Sequence, residues 1–244
     1  MKEKETYINQ GLHLEGAVYN SDLRYSSNGV AMLSFTLALQ SRGTEGPTYL
    51  PIKMLGQAAE RAAELLKDGV GAKVLGRFES YKSEQGERQS VLAQRIWPFE
   101  VGADALTEPD NKGQRRLLHG VNEFWAVGNL TRDVEFSYGQ SGVPFARGTL
   151  AVSLSKEKTD FLPFVAFGPA AEGLKEGRKG ERLLLSGQIK NDSWTDKEGQ
   201  KRYGLKMEVT SARKALKEAR EGKEVGEKRV QAEPLEDFPE SLPF

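Results

Sequence analysis

The chain has 244 residues, which allows one large domain or two small domains with adequate hydrophobic cores. It contains no cysteine and two histidines, His13 and His119, so disulfides and thiolate metal sites are excluded, and a histidine-based metal centre or Ser-His-Asp relay is nearly excluded. The net charge is zero, but residues 230–244 hold four acidic side chains and no basic one, which leaves a net charge of +4 on residues 1–229. A mildly basic body with an acidic end is typical of a protein that binds a polyanion. No apolar run approaches membrane-spanning length and the start lacks the apolar core of a signal peptide, so we expect a soluble, cytoplasmic protein.

Both halves of the chain show the same order of predicted elements. A long strand leads through a turn into a second strand of alternating apolar residues, and a third strand ends at a glycine. An Ala- and Glu-rich segment then predicts a short helix at 57–69 and, because Gly173 and Gly177 interrupt the pattern, a less certain helix at 169–180. A two-stranded hairpin closes each half. The strands and hairpins are predicted at 7–19, 31–40, 49–56 and 72–96 in the first half, and at 120–131, 145–155, 161–168 and 183–209 in the second.

An internal repeat with a spacing of about 112 residues explains this parallel order. YSSNGVAMLSFTLAL (25–39) aligns with YGQSGVPFARGTLAV (138–152), and YLPIKMLGQAAE (49–60) aligns with FLPFVAFGPAAE (161–172). The period is far too long for a solenoid, so the repeat indicates two tandem copies of one domain.

Three strands, a short helix and a closing hairpin in about 95 residues are the order expected of a five-stranded OB barrel. An SH3-like barrel also has five short strands, but it gives no reason for a helix between the third and the fourth. We therefore predict a mainly all-β protein with two tandem OB-fold barrels, at 5–101 (copy one) and 118–214 (copy two). A polar linker at 102–117 joins them, and residues 215–244 are predicted to be a disordered linker and acidic tail.

The closing hairpin of copy two combines basic and aromatic side chains. Trp194 and Tyr203 stand among five cations: Lys190, Lys197, Lys201, Arg202 and Lys206. Flat rings stack on nucleotide bases of any identity and cations hold phosphates, so this pattern favours nucleic-acid binding. A solvated hairpin with one buried tryptophan would explain the same residues, although the polar neighbours of Trp194 argue against burial. Further candidates for phosphate contact are Arg147, Arg77, Lys82 and Arg88.

Aromatic residues recur at matched positions of the two copies. Tyr49 and Phe161 begin the third strand, Phe167 ends it in copy two, and Tyr81 matches Trp194 at the hairpin. Third-strand aromatic residues belong to the core more often than to a binding surface. In both copies, however, Leu-Pro follows the first ring, and proline marks strand starts or edges, where rings can be exposed.

The remaining tryptophans and the known catalytic motifs offer no further site. Trp97 and Trp125 lie in apolar strand contexts, so we interpret both as packing residues, within the barrel or at a subunit interface. No P-loop and no strand–GxGxxG–helix unit is present, and the paired acids Glu236 and Asp237 lie in the predicted flexible tail. We therefore expect neither an enzyme nor a cofactor or metal site.

The acidic tail has its own predicted role. An acidic peptide with aromatic residues can place a ring in a partner's pocket while its carboxylates meet lysines and arginines. Solubility alone would not need two phenylalanines in ten residues. The predicted docking residues are Asp237, Phe238, Pro239, Glu240, Leu242, Pro243 and Phe244.

Several of these motifs together resemble the bacterial single-stranded DNA-binding proteins, most closely the two-OB-fold type of the Deinococcus–Thermus group. The motifs are GNLTRDVEFSY (128–138), GTLAV (148–152), FVAFGPAAE (164–172), DSWTDKEGQKRY (192–203) and DFPESLPF (237–244). Both copies and the tail are covered, and copy two fits the family better than copy one.

The resemblance implies a homodimer with four OB domains, sequence-tolerant binding and protection of single-stranded DNA, and a nucleoid-associated location. It also implies recruitment of replication, recombination and repair proteins through the tail. By position it implies base stacking by Trp194, Phe161 and Phe167, with Tyr81 and Tyr49 in the corresponding places of copy one. Leu55 departs from the aromatic residue expected at the end of the third strand of copy one.

Two other functions are compatible with the sequence. A tandem-OB scaffold, for example in replication restart, would bind mainly proteins and touch nucleic acid weakly, but it would not require the hairpin around Trp194. RNA is also compatible, because a stacking surface does not by itself distinguish ribose from deoxyribose.

Overall fold

The computed structural model describes residues 8–40, 48–83, 86–195 and 199–215, without the side chains of 81–83, 86–88, 194 and 202. Copy one contains β1 (Gln10–Tyr25), β2 (Ala31–Gln40), β3 (Thr48–Leu55), α1 (Gln57–Leu65), β4 (Gly71–Ser83) and β5 (Gly86–Phe99). After a 3-10 turn (Ala103–Ala105) and β6 (Leu117–Leu118), copy two contains β7 (Asn122–Leu130), β8 (Glu135–Tyr138), β9 (Pro144–Ser153), β10 (Thr159–Phe167), α2 (Gly168–Leu174), β11 (Arg182–Thr195) and β12 (Lys201–Lys214). None of the helices in this described part of the chain is long and apolar enough to cross a membrane.

Each copy closes into a five-stranded barrel. In copy one, β1 pairs with β2 and β4, β2 with β3, and β4 with β5. A short parallel pairing of β3 with β5, at Ile52 and Val91, closes the circle. Copy two repeats the arrangement with β7, β9, β10, β12 and β11, and its parallel closure pairs Phe164 with Met207. The predicted all-β class with two tandem OB barrels, each with a short helix after the third strand, is confirmed.

Alternating apolar residues build the two cores, and matched glycines allow the strands to cross closely. Along β2 the side chains of Leu33, Phe35 and Leu37 are buried on one face, as the period of two requires. A Cβ added to Gly16 would lie 2.8 Å from Cγ of Leu37, and one added to Gly128 would lie 2.9 Å from Cγ of Leu150. The first strand of each barrel therefore needs glycine at the repeated position, because the second strand passes directly over it.

The two barrels join through an antiparallel pairing of their first strands. Leu12 of β1 lies opposite Phe124 of β7, and these two residues are equivalent positions of the 112-residue repeat. A local pseudo-twofold axis therefore passes between them, and the sheet continues from one copy into the other.

Polar contacts reinforce this junction beside the paired strands. Nη1 of Arg77 lies 3.2 Å from Oδ2 of Asp160, which is 2% exposed. Nε2 of Gln10 donates to the same oxygen at 3.4 Å, and Nζ of Lys158 lies 3.1 Å from Oε1 of Glu79. Copy one and copy two thus share a partly buried charge cluster as well as a sheet.

The connection between the copies packs on the outer face of copy one, and we call residues 103–118 the strap. Its strand β6 pairs in parallel with β2, at Leu39 and Leu117. Leu106 packs against a small apolar cluster that includes Tyr19, and the backbone N–H of Arg115 donates to the Tyr19 hydroxyl at 2.8 Å. The strap therefore lies over copy one beside Tyr49 of β3, whereas Phe161, the equivalent residue of copy two, is 50% exposed.

Candidate nucleic-acid interface

The outer face of β10 in copy two carries two exposed phenylalanines. Strand alternation buries Leu162, Phe164 and Ala166 in the barrel and leaves Phe161 and Phe167 outside, 50% and 49% exposed. The two rings are six residue steps apart, about 20 Å of extended strand, so they can stack on different nucleotides of one strand. These two predicted stacking residues therefore share one open surface.

The neighbouring strand β9 adds an aromatic ring and a cation to this surface. Phe145 lies opposite Phe167, with 5.4 Å between the ring centroids, and Arg147 lies opposite Val165. Nε of Arg147 donates to Oε2 of Glu135 at 2.5 Å, and both side chains are solvent-exposed. An exposed ion pair of this kind adds little stability, so a phosphate can compete for the guanidinium.

The outer parts of β11 and β12 (190–195 and 201–206), which we call the arm, pair with each other and hold four of the five cations predicted for this hairpin. Lys190 lies directly opposite Lys206, and like charges in such a pair repel each other. Nζ of Lys206 is 2.8 Å from Oδ1 of Asp192, which offsets one of the two charges. An anion bound between the two lysines would relieve the remaining repulsion. This arrangement therefore suits the phosphate contacts predicted for Lys190 and Lys206.

The outer end of the arm presents one described ring. Tyr203 is 73% exposed, and Nζ of Lys201 lies 5.6 Å from its ring centroid. Backbone pairing places Trp194 opposite Arg202, but the side chains of both residues, and Lys197 entirely, lie outside the described residues. The predicted contacts of these three residues therefore stay predictions.

Copy one does not present the equivalent surface. Tyr49, the counterpart of Phe161, is half-buried beneath the strap, where its hydroxyl donates to Oδ2 of Asp110 at 2.7 Å. Burial and this hydrogen bond raise the pKa of the Tyr49 phenol above 10.0, whereas the bond lowers the pKa of Asp110 below 3.8. Leu55, the counterpart of Phe167, is 47% exposed but aliphatic.

The other predicted residues of copy one lie apart from the β10 surface or outside the description. Arg77 points into the charge cluster between the copies, where it contacts Asp160 and Glu79 and is 19% exposed. Its guanidinium already has two carboxylate partners, so the structure does not present it as a free phosphate contact. The side chains of Tyr81, Lys82 and Arg88 lie outside the described residues, as do residues 237–244 of the tail.

Two residues relevant to this surface were missed in the sequence. Phe145 aligns with Met32 of copy one, so the repeat gave no reason to select it, although it shares strand parity with Arg147. Asn191 belongs to no sequence motif that would mark it, yet its side chain hydrogen-bonds from copy two to copy one. Trp125, interpreted as a packing residue, lies across the backbone of Gly11 in the β1–β7 pair, and a Cβ there would be 2.8 Å from Nε1 of the indole.

Exposed rings beside cations on two joined OB barrels define a protein of the nucleic-acid-binding OB class. The family model of the single-strand binding protein family matches residues 10–98 and 121–214, one match for each copy. The chain therefore belongs to this family, which confirms the resemblance found in the sequence.

Comparison with individual proteins gives the same result. The single-stranded DNA-binding protein of Thermus aquaticus is 34% identical over 261 aligned positions, which cover 97% of this chain and 98% of that protein. The Deinococcus radiodurans protein of the same name is 31% identical over 220 positions, covering 82% of this chain and 73% of that protein. The crystal structure of the wild-type Thermus aquaticus protein superposes with a TM-score of 0.70 at 27% identity, covering 88% of this chain and 96% of that one.

Proposed function

We propose that the chain binds and protects single-stranded DNA without sequence preference and without catalysing a reaction. The observation that carries the proposal is the pair of half-exposed rings, Phe161 and Phe167, beside Arg147 on one outer face of copy two. Each base stacked on such a ring contributes about 1–3 kcal/mol, whatever its identity. The names of the relatives, which are single-stranded DNA-binding proteins, support the same function.

A titration with oligo-dT of increasing length, followed by intrinsic fluorescence at two salt concentrations, tests this proposal. We expect tight binding with strong quenching and a steep loss of affinity with salt, because stacking perturbs the rings and phosphate contacts release counterions. The double variant Phe161→Ala/Phe167→Ala should lose most of the affinity. Trp97→Leu, which removes a similarly exposed ring beside α1, is the matched control and should bind normally.

Three results of this experiment would contradict the proposal. Weak binding seen only at low salt and without quenching would favour the protein-scaffold alternative. An unchanged affinity of the double phenylalanine variant would remove the β10 surface from the site. Tighter binding of oligo-rU than of oligo-dT, in the same titration, would make RNA the preferred ligand.

We further propose that the protein acts as a homodimer in the cytoplasm, associated with the nucleoid. The apolar side chains of Trp125 and Leu184 are exposed on the back of the joined sheet, on the side away from both barrel cores. Stacking this face on a second copy would bury them. Sedimentation equilibrium should give twice the chain mass for the wild type and the single mass for Leu184→Glu, and a monomeric wild type would contradict the proposal.

The tail is proposed to recruit replication, recombination and repair proteins. Its support is chemical: acidic residues and two phenylalanines stand close together in 237–244. Removing this segment should abolish the capture of such enzymes on immobilised protein and leave the affinity for oligo-dT unchanged. Retention of the same partners by the shortened protein would disprove the docking role.

A further inference from the structure

The base of the arm is fastened to copy one by the side chain of Asn191. Nδ2 of Asn191 donates to the backbone oxygen of Tyr49 at 2.6 Å, and the backbone N–H of Tyr49 donates to Oδ1 of Asn191 at 2.8 Å. The amide thus uses a donor and an acceptor on one residue, as a neighbouring strand would. A strand of copy two is thereby joined to β3 of copy one without a backbone ladder.

The second strand of the arm is fastened at the same level. Leu205 is the cross-strand partner of Asn191, and its backbone N–H donates to Oε1 of Gln89 at 2.7 Å. Gln89 belongs to β5, which pairs in parallel with β3 where the barrel of copy one closes. The cross-strand pair Asn191–Leu205 is therefore hydrogen-bonded to copy one on both of its strands. Asn191 bonds β3 and Leu205 bonds β5, the two strands that close the barrel.

Tyr49 is itself held from the opposite side by the strap. Its hydroxyl donates to Asp110 and accepts a bond from Nη1 of Arg116 at 3.4 Å. Asp110 is fixed in turn, because its Oδ1 accepts the backbone N–H groups of Lys112 and Gln114 at 2.8 and 2.9 Å. Continuous hydrogen bonds therefore run from the strap through Tyr49 to the arm.

We propose that Asn191, Gln89 and Tyr49 are positioning residues that set where the DNA-binding arm leaves the body of the protein. Copy one then serves as the platform for the arm of copy two, and Tyr49 acts through its backbone and hydroxyl and not as a stacking ring. This inference rests on the proposed binding of single-stranded DNA. The different roles match the different surroundings: Tyr49 bonds Asp110 of the strap, while the equivalent Phe161 is exposed.

Hydrogen exchange of the arm amides, together with oligo-dT affinity, tests the inference on the full chain. Asn191→Ala should speed exchange across 190–195 and 201–206 and weaken binding about three- to tenfold, the range expected for one or two lost hydrogen bonds. Asn129→Ala, at an exposed strand position of the same copy, is the matched control and should change neither quantity. Asn191→Asp keeps the acceptor for the Tyr49 N–H and removes only the donor, so its arm exchange should lie between that of the wild type and that of the alanine variant.

The connection to the strap is tested by Asp110→Ala. Although Asp110 lies in the strap, its loss should also speed exchange in the arm, since Tyr49 would lose its anchor. The double variant Asp110→Ala/Asn191→Ala should bind DNA no more weakly than Asn191→Ala alone, because both changes interrupt one series of contacts.

The outcomes separate this inference from the proposed function. If the phenylalanine variants lose binding while Asn191→Ala changes neither exchange nor affinity, the positioning role is wrong and the DNA-binding function stands. If the wild type does not bind oligo-dT, the proposed function fails. In that case faster exchange in Asn191→Ala would still establish that Asn191 holds the arm on copy one, and unchanged exchange would reject it.

Discussion

Phe167 and Leu55 occupy equivalent places at the ends of β10 and β3, and they are equally exposed, at 49% and 47%. The two side chains therefore differ in chemistry and not in accessibility. Because a flat ring stacks on a base and a branched alkyl group does not, Phe167→Leu should weaken oligo-dT binding by up to about tenfold. The reciprocal change, Leu55→Phe, should strengthen it. Equal affinities for both variants and the wild type would mean that neither strand end contacts DNA.

The phenol of Tyr49, which bonds the strap, makes the stability of the folded protein depend on pH in the alkaline range. Its folded pKa is raised above the ordinary 10.0, so the neutral phenol is favoured in the folded state. The stability from this shift is fully present below pH 10.0 and is lost as the pH rises through the folded pKa. Tyr49→Phe lacks the ionising group, so the wild type should be the more stable protein below pH 10.0 and lose that advantage above it.

Urea unfolding of the two proteins between neutral and strongly alkaline pH measures this difference. The two hydrogen bonds between the Asn191 side chain and the backbone of residue 49 persist in the phenylalanine variant. Any difference in the free energy of unfolding therefore reports the hydroxyl alone. A stability difference that stays constant across the pH range would show that the Tyr49 phenol is not shifted by folding.

At the scale of elements, the arm should determine part of the salt dependence. Lys190 lies opposite Lys206 in a strongly basic hairpin, so a phosphate between them releases counterions when it binds. Lys190→Gln should reduce the slope of log affinity against log salt by about 0.7, the value for one phosphate contact on a single strand. Lys67→Gln, at an exposed position just after α1, is the matched control and should leave the slope unchanged. An unchanged slope for Lys190→Gln would exclude a phosphate contact at that residue.

The elements that the sequence predicted are those with local signals. Strand parity at Phe35, Leu37 and Leu39 predicted the second strand, and the glycines at 16 and 128 are equivalent in the repeat because both barrels need the same close crossing. The repeat then gave the order of strands in each barrel. For the site, the repeat selected Phe161 through its counterpart Tyr49, whereas Phe167, whose counterpart is Leu55, came from the family resemblance; the structure leaves both phenylalanines exposed.

The features that sequence reasoning missed are contacts between distant residues. The Tyr49 hydroxyl bonds a residue 61 positions away, and its backbone bonds one 142 positions away. Neither contact has a period or a motif, so the alignment of Tyr49 with Phe161 suggested a second stacking ring. The structure instead gives Tyr49 hydrogen-bond partners in the strap and in copy two. Repeated sequence predicts repeated backbone more reliably than repeated use of a side chain, because each copy meets different neighbours.

On the scale of the whole molecule, the charge cluster between the copies should couple the two barrels. Asp160 is 2% exposed, and burial raises the pKa of its carboxyl above 3.8 although Lys158 and Arg77 act in the opposite direction. Lys158 and Arg77 thus offset part of the desolvation and favour the ionised form. Arg77→Met would leave this buried charge without its guanidinium, a change that costs about 3–5 kcal/mol for a broken buried pair.

The pH dependence distinguishes that electrostatic cost from simple loss of packing. Since the folded pKa of Asp160 is raised, stability from this group is complete below pH 3.8 and falls as the pH rises through the folded value. Arg77→Met should raise that pKa further, so its deficit in the free energy of unfolding should be small in acid and grow toward neutral pH. Adding Asp160→Asn should recover most of the deficit at neutral pH, because the double variant buries no unpaired charge. Urea unfolding from pH 4 to pH 8 measures both effects, and a deficit that is independent of pH and unrelieved by Asp160→Asn would show that Arg77 joins the copies by packing alone.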